Sequence, residues 1–207
     1  MKKIHILSGA ILALVALTAV QARAVDVTSV GLKAGFSLAD MQGNDWGKEF
    51  KARSGFAVGV FLTLDLAEGL SVQPEMLFVQ KGSKAEEGDV TIAVRLSYFE
   101  IPVLLKYAFP LGRESNIHLF GGPALGLKFD SRLRLKIGDS DVTQQFNEAK
   151  SFDIGLAVGG GFSLPVGGKA LTFDVRYTLG LTNCCESLGA DYDVKNNAIL
   201  FLVGITL

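Results

Sequence analysis

Apolar and polar residues alternate along most of the chain with a period of two, beginning near Val30. In the segment 99–107, Phe, Ile, Val, Leu and Tyr occupy the odd positions, and Glu, Pro, Leu and Lys occupy the even ones. This is the period of a β-strand, because successive side chains point to opposite faces. The pattern predicts eight strands, at about Val30–Leu38, Phe56–Asp65, Leu70–Val79, Phe99–Tyr107, Ile117–Phe129, Phe152–Ser163, Leu171–Leu179 and Ile199–Leu207.

The connections between these strands alternate in length. Three are short, at about Ala67–Gly69, Phe109–Ser115 and Pro165–Gly168. Four are longer and more polar, at about Ala39–Ser54, Gly82–Asp89, Asp130–Lys150 and Thr182–Lys195. Short turns at one end and long loops at the other are typical of bacterial outer-membrane barrels, whose tilted strands need about 9–11 residues to cross the membrane. The sequence therefore predicts an all-β fold, an eight-stranded antiparallel up-and-down transmembrane β-barrel with its long loops outside the cell.

The first 24 residues have the features of a secretory signal peptide. Lys2 and Lys3 precede an apolar segment, Ile4–Val20, and Ala22-Arg23-Ala24 has the small-x-small pattern of a cleavage site. We expect cleavage after Ala24 and export to the bacterial outer membrane. Residues 25–207 show no repeat, linker or composition shift, so they are predicted to form a single barrel domain.

The overall composition excludes several classes of protein. The chain is 49% hydrophobic, so it can bury enough apolar surface to fold. Its 20 Lys and Arg residues are balanced by 21 Asp and Glu residues, which leaves no basic excess for a nucleic-acid partner. After residue 24 no apolar run approaches the ~20 residues of a membrane-spanning helix.

The polar side of the strands indicates which face is inside. It is rich in small residues and has equal numbers of basic and acidic side chains, as suits a narrow interior in which charges pair. A soluble lipocalin-like lipid carrier also alternates, but with its apolar side inward. We therefore predict a charge network in the lumen, made of Lys33, Asp65, Glu75, Lys81, Glu100, Lys106, Lys128, Asp153, Asp174 and Arg176.

Within this network Arg176 is the candidate for a transverse ion pair. Its predicted strand lies across the barrel from the strands that carry Glu75 and Glu100. Charges buried in a narrow interior need partners because their desolvation is costly. We expect Arg176 to pair with one of these two glutamates and the network to fill the lumen.

No catalytic, cofactor-binding or metal-binding arrangement is evident. His118 is the one histidine outside the predicted signal peptide, and it follows a short turn, away from the long loops. No Gly-x-Ser-x-Gly motif occurs. Cys184 and Cys185 are adjacent in the last long loop, where free thiols, a strained vicinal disulfide and a bridge to another molecule are all open. We expect no enzyme activity and no cofactor.

Several short motifs carry a family resemblance over essentially the whole chain after residue 24. They are Gly31-Leu-Lys-Ala-Gly-Phe36, Gln73-Pro-Glu75, Gln80-Lys-Gly82, Tyr98-Phe-Glu-Ile-Pro-Val-Leu-Leu-Lys-Tyr107, Phe120-Gly-Gly-Pro123, Phe152-Asp-Ile-Gly155, Arg176-Tyr177 and Gly180-Leu181. The chain resembles the PorT-like small outer-membrane β-barrel proteins and, more distantly, the eight-stranded barrels of the OmpA and OmpX kind. The resemblance implies an outer-membrane barrel and a C-terminus, ordinarily Phe and here Leu207, that is recognised by the barrel-assembly machinery. It implies no single activity.

These features predict a monomeric, non-enzymatic protein with a structural or surface-interaction role. The expected partners are outer-membrane lipids and lipopolysaccharide, and the barrel-assembly machinery during biogenesis. The alternatives are a narrow, porin-like channel for small solutes, which a lumen filled by side chains argues against, and the soluble lipid carrier.

Overall fold

A computed structural model describes most of the chain. The described residues are 27–43, 51–112, 115–146, 149–184 and 194–207. The predicted signal peptide, 1–24, lies outside the described residues. Within the described ranges, no helix is long and apolar enough to cross a membrane.

The described chain is built from antiparallel strands joined mainly by hairpins. Their bounds are β1 Val27–Gly43, β2 Lys51–Ala67, β3 Leu70–Glu87, β4 Val90–Leu111, β5 Ser115–Ile137, β6 Ser140–Gln145, β7 Phe152–Val166, β8 Lys169–Gly180 and β9 Val194–Thr206. Eight of them pair in the order β1, β2, β3, β4, β5, β7, β8 and β9. The short strand β6 pairs with the outer part of β5.

The ring closes where the last strand pairs with the first. Residues 194–206 of β9 lie antiparallel to residues 31–43 of β1 in an unbroken register. Closure satisfies the backbone groups of every ring strand and leaves no free edge in the ring. The predicted eight-stranded up-and-down barrel is confirmed.

Three predicted loops are largely strand, so their boundaries were wrong. In the predicted loop 39–54, residues 39–43 belong to β1 and residues 51–54 to β2. Residues 82–87 continue β3, and Gly88-Asp89 form the turn into β4. The predicted loop 130–150 contains the end of β5 and all of β6, joined at Gly138-Asp139. Apolar residues still alternate in part of this region, at 90, 92, 94 and 96 and at 133, 135 and 137. They now point into the barrel, where Val94, Leu96 and Leu133 belong to or pack against one buried cluster, because this part of the strands rises beyond the lipid-facing band. We call this side of the barrel the loop end and the opposite side the turn end.

The outer surface of the barrel is apolar. Large exposed side chains follow the predicted apolar parity, including Phe36, Val58, Leu105, Leu125 and Leu156. This orientation matches a barrel in lipid and is opposite to that of a soluble carrier with an apolar interior. The soluble-carrier alternative is therefore wrong for this fold.

Aromatic side chains mark both edges of the apolar outer band. Toward the loop end, rings on four neighbouring strands contact one another with centroid distances of 5.3–6.4 Å; these are Phe56, Phe78, Phe99 and Phe129. Toward the turn end, the Tyr107 and Phe109 rings lie 4.8 Å apart. From Phe99 to Phe109 the strand advances about 33 Å, which at a tilt of about 40° gives the roughly 25 Å height of an outer-membrane apolar band. We call the first group the phenylalanine girdle.

The turn end is tightly connected. Gly167 and Gly168 join β7 to β8 with φ angles of 59° and 78°. Both values lie in the left-handed region required at the two central positions of a type I′ hairpin turn, where glycine has no steric penalty.

Candidate functional site in the barrel lumen

Strand alternation places charged side chains and one histidine from opposite sides of the ring in one buried cluster. Five of these side chains, which we call the central network, are Lys33 on β1, Glu75 on β3, His118 on β5, and Asp174 and Arg176 on β8. Each is at most 3% exposed. They lie inside because each shares its parity with neighbouring buried residues rather than with the outer apolar residues.

The pair of Arg176 and Glu75 crosses the lumen. Arg176 Nη2 donates to both carboxylate oxygens of Glu75, at 2.9 and 2.8 Å. The Arg176 guanidinium also lies 5.3 Å from the centroid of the Phe120 ring, a cation–π distance. Of the two glutamates proposed from the sequence, Glu75 is therefore the one that contacts Arg176.

Lys33 joins the two carboxylates of the network. Its Nζ donates to Glu75 Oε1 at 2.8 Å and to Asp174 Oδ2 at 2.6 Å. It lies 5.1 Å from the centroid of the Phe61 ring. Two cations and two carboxylates thus share direct contacts, which is the condition under which buried charges offset their desolvation.

His118 completes the network from β5. Its Nε2 lies 2.7 Å from Asp174 Oδ1, and its side chain is fully buried. Gly161 on β7 makes room for this contact, since a Cβ there would lie 2.6 Å from Asp174 Oδ1, 2.8 Å from His118 Nε2 and 2.1 Å from the Phe173 carbonyl oxygen. A glycine is therefore required beside the His118–Asp174 contact.

A second ion pair lies nearer the loop end. Lys81 Nζ lies 2.6 Å from Glu100 Oε2, and both side chains are buried. Asp153, also buried, accepts a hydrogen bond from Thr182 Oγ1 at 3.1 Å. Glu100, the other glutamate proposed for Arg176, thus pairs with Lys81.

Apolar side chains fill the lumen between the two charged levels. Along β3 the inward positions from Glu75 to Lys81 are separated by Leu77 and Val79, neither of which is exposed. They belong to a buried cluster with Ala39, Ala57, Ala198, Leu200 and Leu202. A further cluster nearer the loop end contains Met41, Val94, Leu96, Tyr98, Phe146, Ala149, Cys184 and Val194.

The remaining predicted lumen residues lie outside the central network. Lys106 Nζ is 3.4 Å from Gln73 Oε1 and half-buried. Lys128, also half-buried, donates to the carbonyl oxygen of Ala149. Asp65 is exposed at the turn end, where it lines a mouth of about 370 Å³. Parity predicted on which side these residues lie, but it carries no information on their depth.

Two polar residues of this site were not included in the predicted network. From the sequence, His118 was expected to be a polar lumen or interface residue rather than a catalytic one, and Gln73 was not singled out. Gln73 Nε2 donates to Glu75 Oε1 at 2.5 Å. Both share the inward parity of their strands, so listing every polar residue of that parity, rather than the charged ones alone, would have found them.

The groups that could bind a metal or react were compared across the described chain. Within residues 27–43, 51–112, 115–146, 149–184 and 194–207, no group of three or more His, Cys, Asp or Glu side chains could hold a metal ion. Asp174, the carboxylate beside His118, is also engaged by Lys33. Cys184 is buried at the loop end, and Cys185 lies outside the described residues.

The comparison with protein families matches this architecture. A model described as outer membrane protein beta-barrel domain matches residues 23–186. The chain belongs to this family and is a small barrel protein of the bacterial outer membrane. Among curated protein sequences, none is significantly similar to it.

A solved structure with the same fold matches this chain at low sequence identity. Neisserial surface protein A is 16% identical, with a TM-score of 0.51, and the match covers 88% of this chain and 98% of that one. Ail, the attachment invasion locus protein of Yersinia pestis, is 13% identical with a TM-score of 0.44, covering 86% and 98%. OprG of Pseudomonas aeruginosa is 14% identical with a TM-score of 0.45, covering 87% and 96%.

Proposed function

We propose that this protein is a closed outer-membrane barrel that acts as a structural or surface-interaction protein and neither conducts solutes nor catalyses a reaction. The observation that carries the proposal is the filled lumen. The central network crosses the barrel between β3 and β8, and a buried apolar cluster lies directly beyond it. An eight-stranded barrel has an interior just wide enough for its own side chains, so a lumen packed in this way has no continuous water path.

The parts of the molecule that remain available for interaction are its outer surface and its loop end. β4 and β5 contain 22 and 23 residues, about twice the length that crosses a membrane. Their outer halves, together with β6, form hairpins that rise beyond the phenylalanine girdle. Such hairpins would be presented to the cell exterior, because long connections of outer-membrane barrels lie there.

A planar-bilayer recording tests this proposal against the channel alternative. Protein that shows the heat-dependent gel mobility shift of a folded barrel is inserted into a bilayer, with a known porin as the positive control. We expect no stable unitary conductance from this protein. Reproducible unitary steps from the folded protein, absent from a heat-unfolded sample, would show that the lumen conducts.

The absence of catalysis is tested through His118. Folded protein and a His118→Gln variant are incubated with phospholipid vesicles and with a peptide substrate. We expect no release of fatty acid and no cleavage from either sample. Turnover that is lost in His118→Gln would contradict the non-enzymatic proposal.

The proposal includes the route to the membrane. We propose that the signal peptide is cleaved after Ala24 and that the barrel-assembly machinery inserts the remaining chain as a monomer. Within the outer-membrane barrels, we propose that the chain is related to the PorT-like proteins. The small-residue pattern at Ala22-Arg23-Ala24 supports the cleavage site. The intact mass of protein extracted from outer membranes, where a chain beginning at Val25 is expected, measures the cleavage directly. A mass that includes residues 1–24 would contradict it.

A further inference from the structure

Four arginine side chains meet at one site toward the loop end of the barrel. Arg53 on β2, Arg95 on β4, and Arg132 and Arg134 on β5 line a single surface cavity of about 540 Å³. We call them the arginine cluster. None of the four contacts the central network in the described part of the chain.

Strand alternation shows that three members of the cluster, Arg95, Arg132 and Arg134, face outward. Val94 and Leu96, on either side of Arg95, are buried inside the barrel. Leu133, between Arg132 and Arg134, packs against the same buried cluster. Because neighbouring side chains on a strand point to opposite faces, these three arginines lie on the surface that continues the outer band.

The cluster lies just beyond the phenylalanine girdle on the loop-end side. Arg95 precedes Phe99 by four residues on β4, which is about 13 Å of strand. Arg132 follows Phe129 by three residues on β5. Aromatic girdles of outer-membrane barrels mark the membrane–water interface, so the arginines are at the level of the outer-leaflet headgroups.

The positive charge of the cluster is incompletely neutralised by the residues described around it. Arg132 Nε lies 2.9 Å from Asp130 Oδ2, and Arg95 Nη2 lies 3.9 Å from the same oxygen. Arg134 Nε donates to Asp141 Oδ1 at 2.9 Å. These hydrogen bonds hold the pKa of the Asp141 carboxyl below its ordinary value, so this group is ionised at neutral pH. Two carboxylates therefore face four guanidinium groups.

Some donors of the cluster are also unused. Arg53 Nη1 and Arg95 Nε are shielded from solvent and have no hydrogen-bond partner in the described part of the chain. Arg95 and Arg132 occupy directly opposed positions on neighbouring strands, an arrangement in which like charges repel. Shielded donors and paired like charges are stabilised when an anion binds between them.

We propose that the arginine cluster binds the phosphate groups of a phosphorylated lipid of the outer leaflet. Guanidinium groups bind phosphate through two parallel hydrogen bonds, and several together can hold more than one phosphate. The adjoining phenylalanine girdle provides an apolar surface for the acyl chains of the same molecule. The inference goes beyond the proposed function and does not depend on whether the lumen conducts.

Binding of lipid A with and without its phosphates tests the proposal. The folded full chain in detergent micelles is titrated with bisphosphorylated lipid A and, separately, with the dephosphorylated lipid, and bound lipid is counted by native mass spectrometry. We expect the bisphosphorylated lipid to bind at least about tenfold more tightly. Equal binding of both lipids would overturn the proposal.

Matched variants locate the site. Arg95→Gln combined with Arg132→Gln removes two charges from the cluster, whereas Lys51→Gln combined with Lys136→Gln removes two exposed charges that do not line the cavity. We expect the first variant to lose at least about tenfold in affinity and the second to change by less than about threefold. Equal effects of the two double variants would overturn the assignment. The heat-dependent mobility shift confirms folding, and Arg53→Gln alone replaces the first variant if that variant does not fold.

Competition distinguishes the source of the phosphate. The complex is challenged with excess inorganic phosphate and, in a separate sample, with a soluble sulfated polysaccharide. Retention of lipid A in both samples is expected when the girdle contacts the acyl chains. Displacement by the excess of inorganic phosphate would show a free-anion site, and displacement by the polysaccharide would show a different class of partner. Either result overturns the lipid assignment.

Discussion

Arg176 on β8 and Glu75 on β3 face each other across the full width of the barrel and share two hydrogen bonds of 2.9 and 2.8 Å. In the eight-stranded ring their strands are four positions apart in either direction, the largest separation that such a ring allows. The contact is possible because an eight-stranded lumen is narrow enough to be spanned by one long side chain meeting another.

Removal of one member of this pair is expected to be strongly destabilising. Arg176→Ala leaves the Glu75 carboxylate buried with Lys33 as its remaining cation, so we expect a loss of roughly 3–5 kcal/mol in the free energy of unfolding. Urea unfolding of the barrel in lipid vesicles measures it. In a double-mutant cycle with Glu75→Ala, the double variant should lose less than the sum of the two single variants. Strict additivity would show that the two side chains act independently.

Gly161 is expected to tolerate no side chain. In Gly161→Ala the new Cβ would lie 2.1 Å from the Phe173 carbonyl oxygen and would press on the His118–Asp174 contact. Overpacking of this kind costs about 1–3 kcal/mol. The free energy of unfolding should fall accordingly, while Gly88→Ala, at a turn with open space around it, serves as a comparison. Gly88 has a φ of 55°, so any stability lost in Gly88→Ala reports backbone strain without crowding. Wild-type stability of Gly161→Ala would contradict the packing described here.

A charged side chain near the middle of the apolar outer band is expected to lower the free energy of unfolding. Val58→Arg and Leu156→Arg place a guanidinium on the lipid-facing surface and should each cost about 2–4 kcal/mol near the membrane midplane. Gln144→Arg, on the exposed strand β6, should have little effect. Folding into vesicles followed by urea titration provides the comparison. Equal free energies of unfolding for Val58→Arg and Gln144→Arg would reverse the assignment of the inner and outer faces.

The last four residues are expected to be necessary for assembly. They include Gly204, Ile205 and Thr206, which pair with Lys33, Leu32 and Gly31 to close the ring. Deletion of 204–207 shortens the closing strand at the turn end and removes the C-terminus of the barrel. We expect no folded protein in outer-membrane fractions, as judged by the heat-dependent mobility shift. A normal folded yield would show that closure does not need these pairs.

The Asp141 carboxyl is expected to report the state of Arg134 on the loop-end hairpin. Hydrogen bonds from Arg134 lower the pKa of Asp141, so Arg134→Gln should raise it toward its ordinary value. The carboxyl then becomes protonated at a higher pH than in the unsubstituted protein. A carbon-detected NMR titration of both proteins measures the change. An unaltered pKa would mean that Arg134 does not contact Asp141 in solution.

The eight-stranded ring could be predicted from the sequence because the pattern that marks each strand is local. Each strand carries the period-two alternation within its own residues, so the eight ring strands and their lumen parity could be recognised one at a time. The extension of β3 through Gly82–Glu87 could not, because this segment has no large apolar side chain that could show the alternation. Depth in the lumen was equally inaccessible: Asp65 and Glu75 share one parity, yet one is exposed at the turn end and the other is buried.

The choice of partner depends on register, which alternation does not encode. Arg176 was compatible with Glu75 or Glu100 as long as only strand order was known. The hairpin registers set the two glutamates at different heights and bring Lys81 to Glu100. The arginine cluster escaped the sequence analysis for the same reason, since its members come from three strands and meet through pairing beyond the apolar band.

The separation of 101 residues between Glu75 and Arg176 has a consequence for the order of folding. Each hairpin can form from neighbouring residues, but a contact across the ring requires the chain between its ends to be closed first, with the entropy loss of a long loop. We therefore expect this buried ion pair to form only after the strands have met, so that it stabilises the closed barrel without directing its assembly.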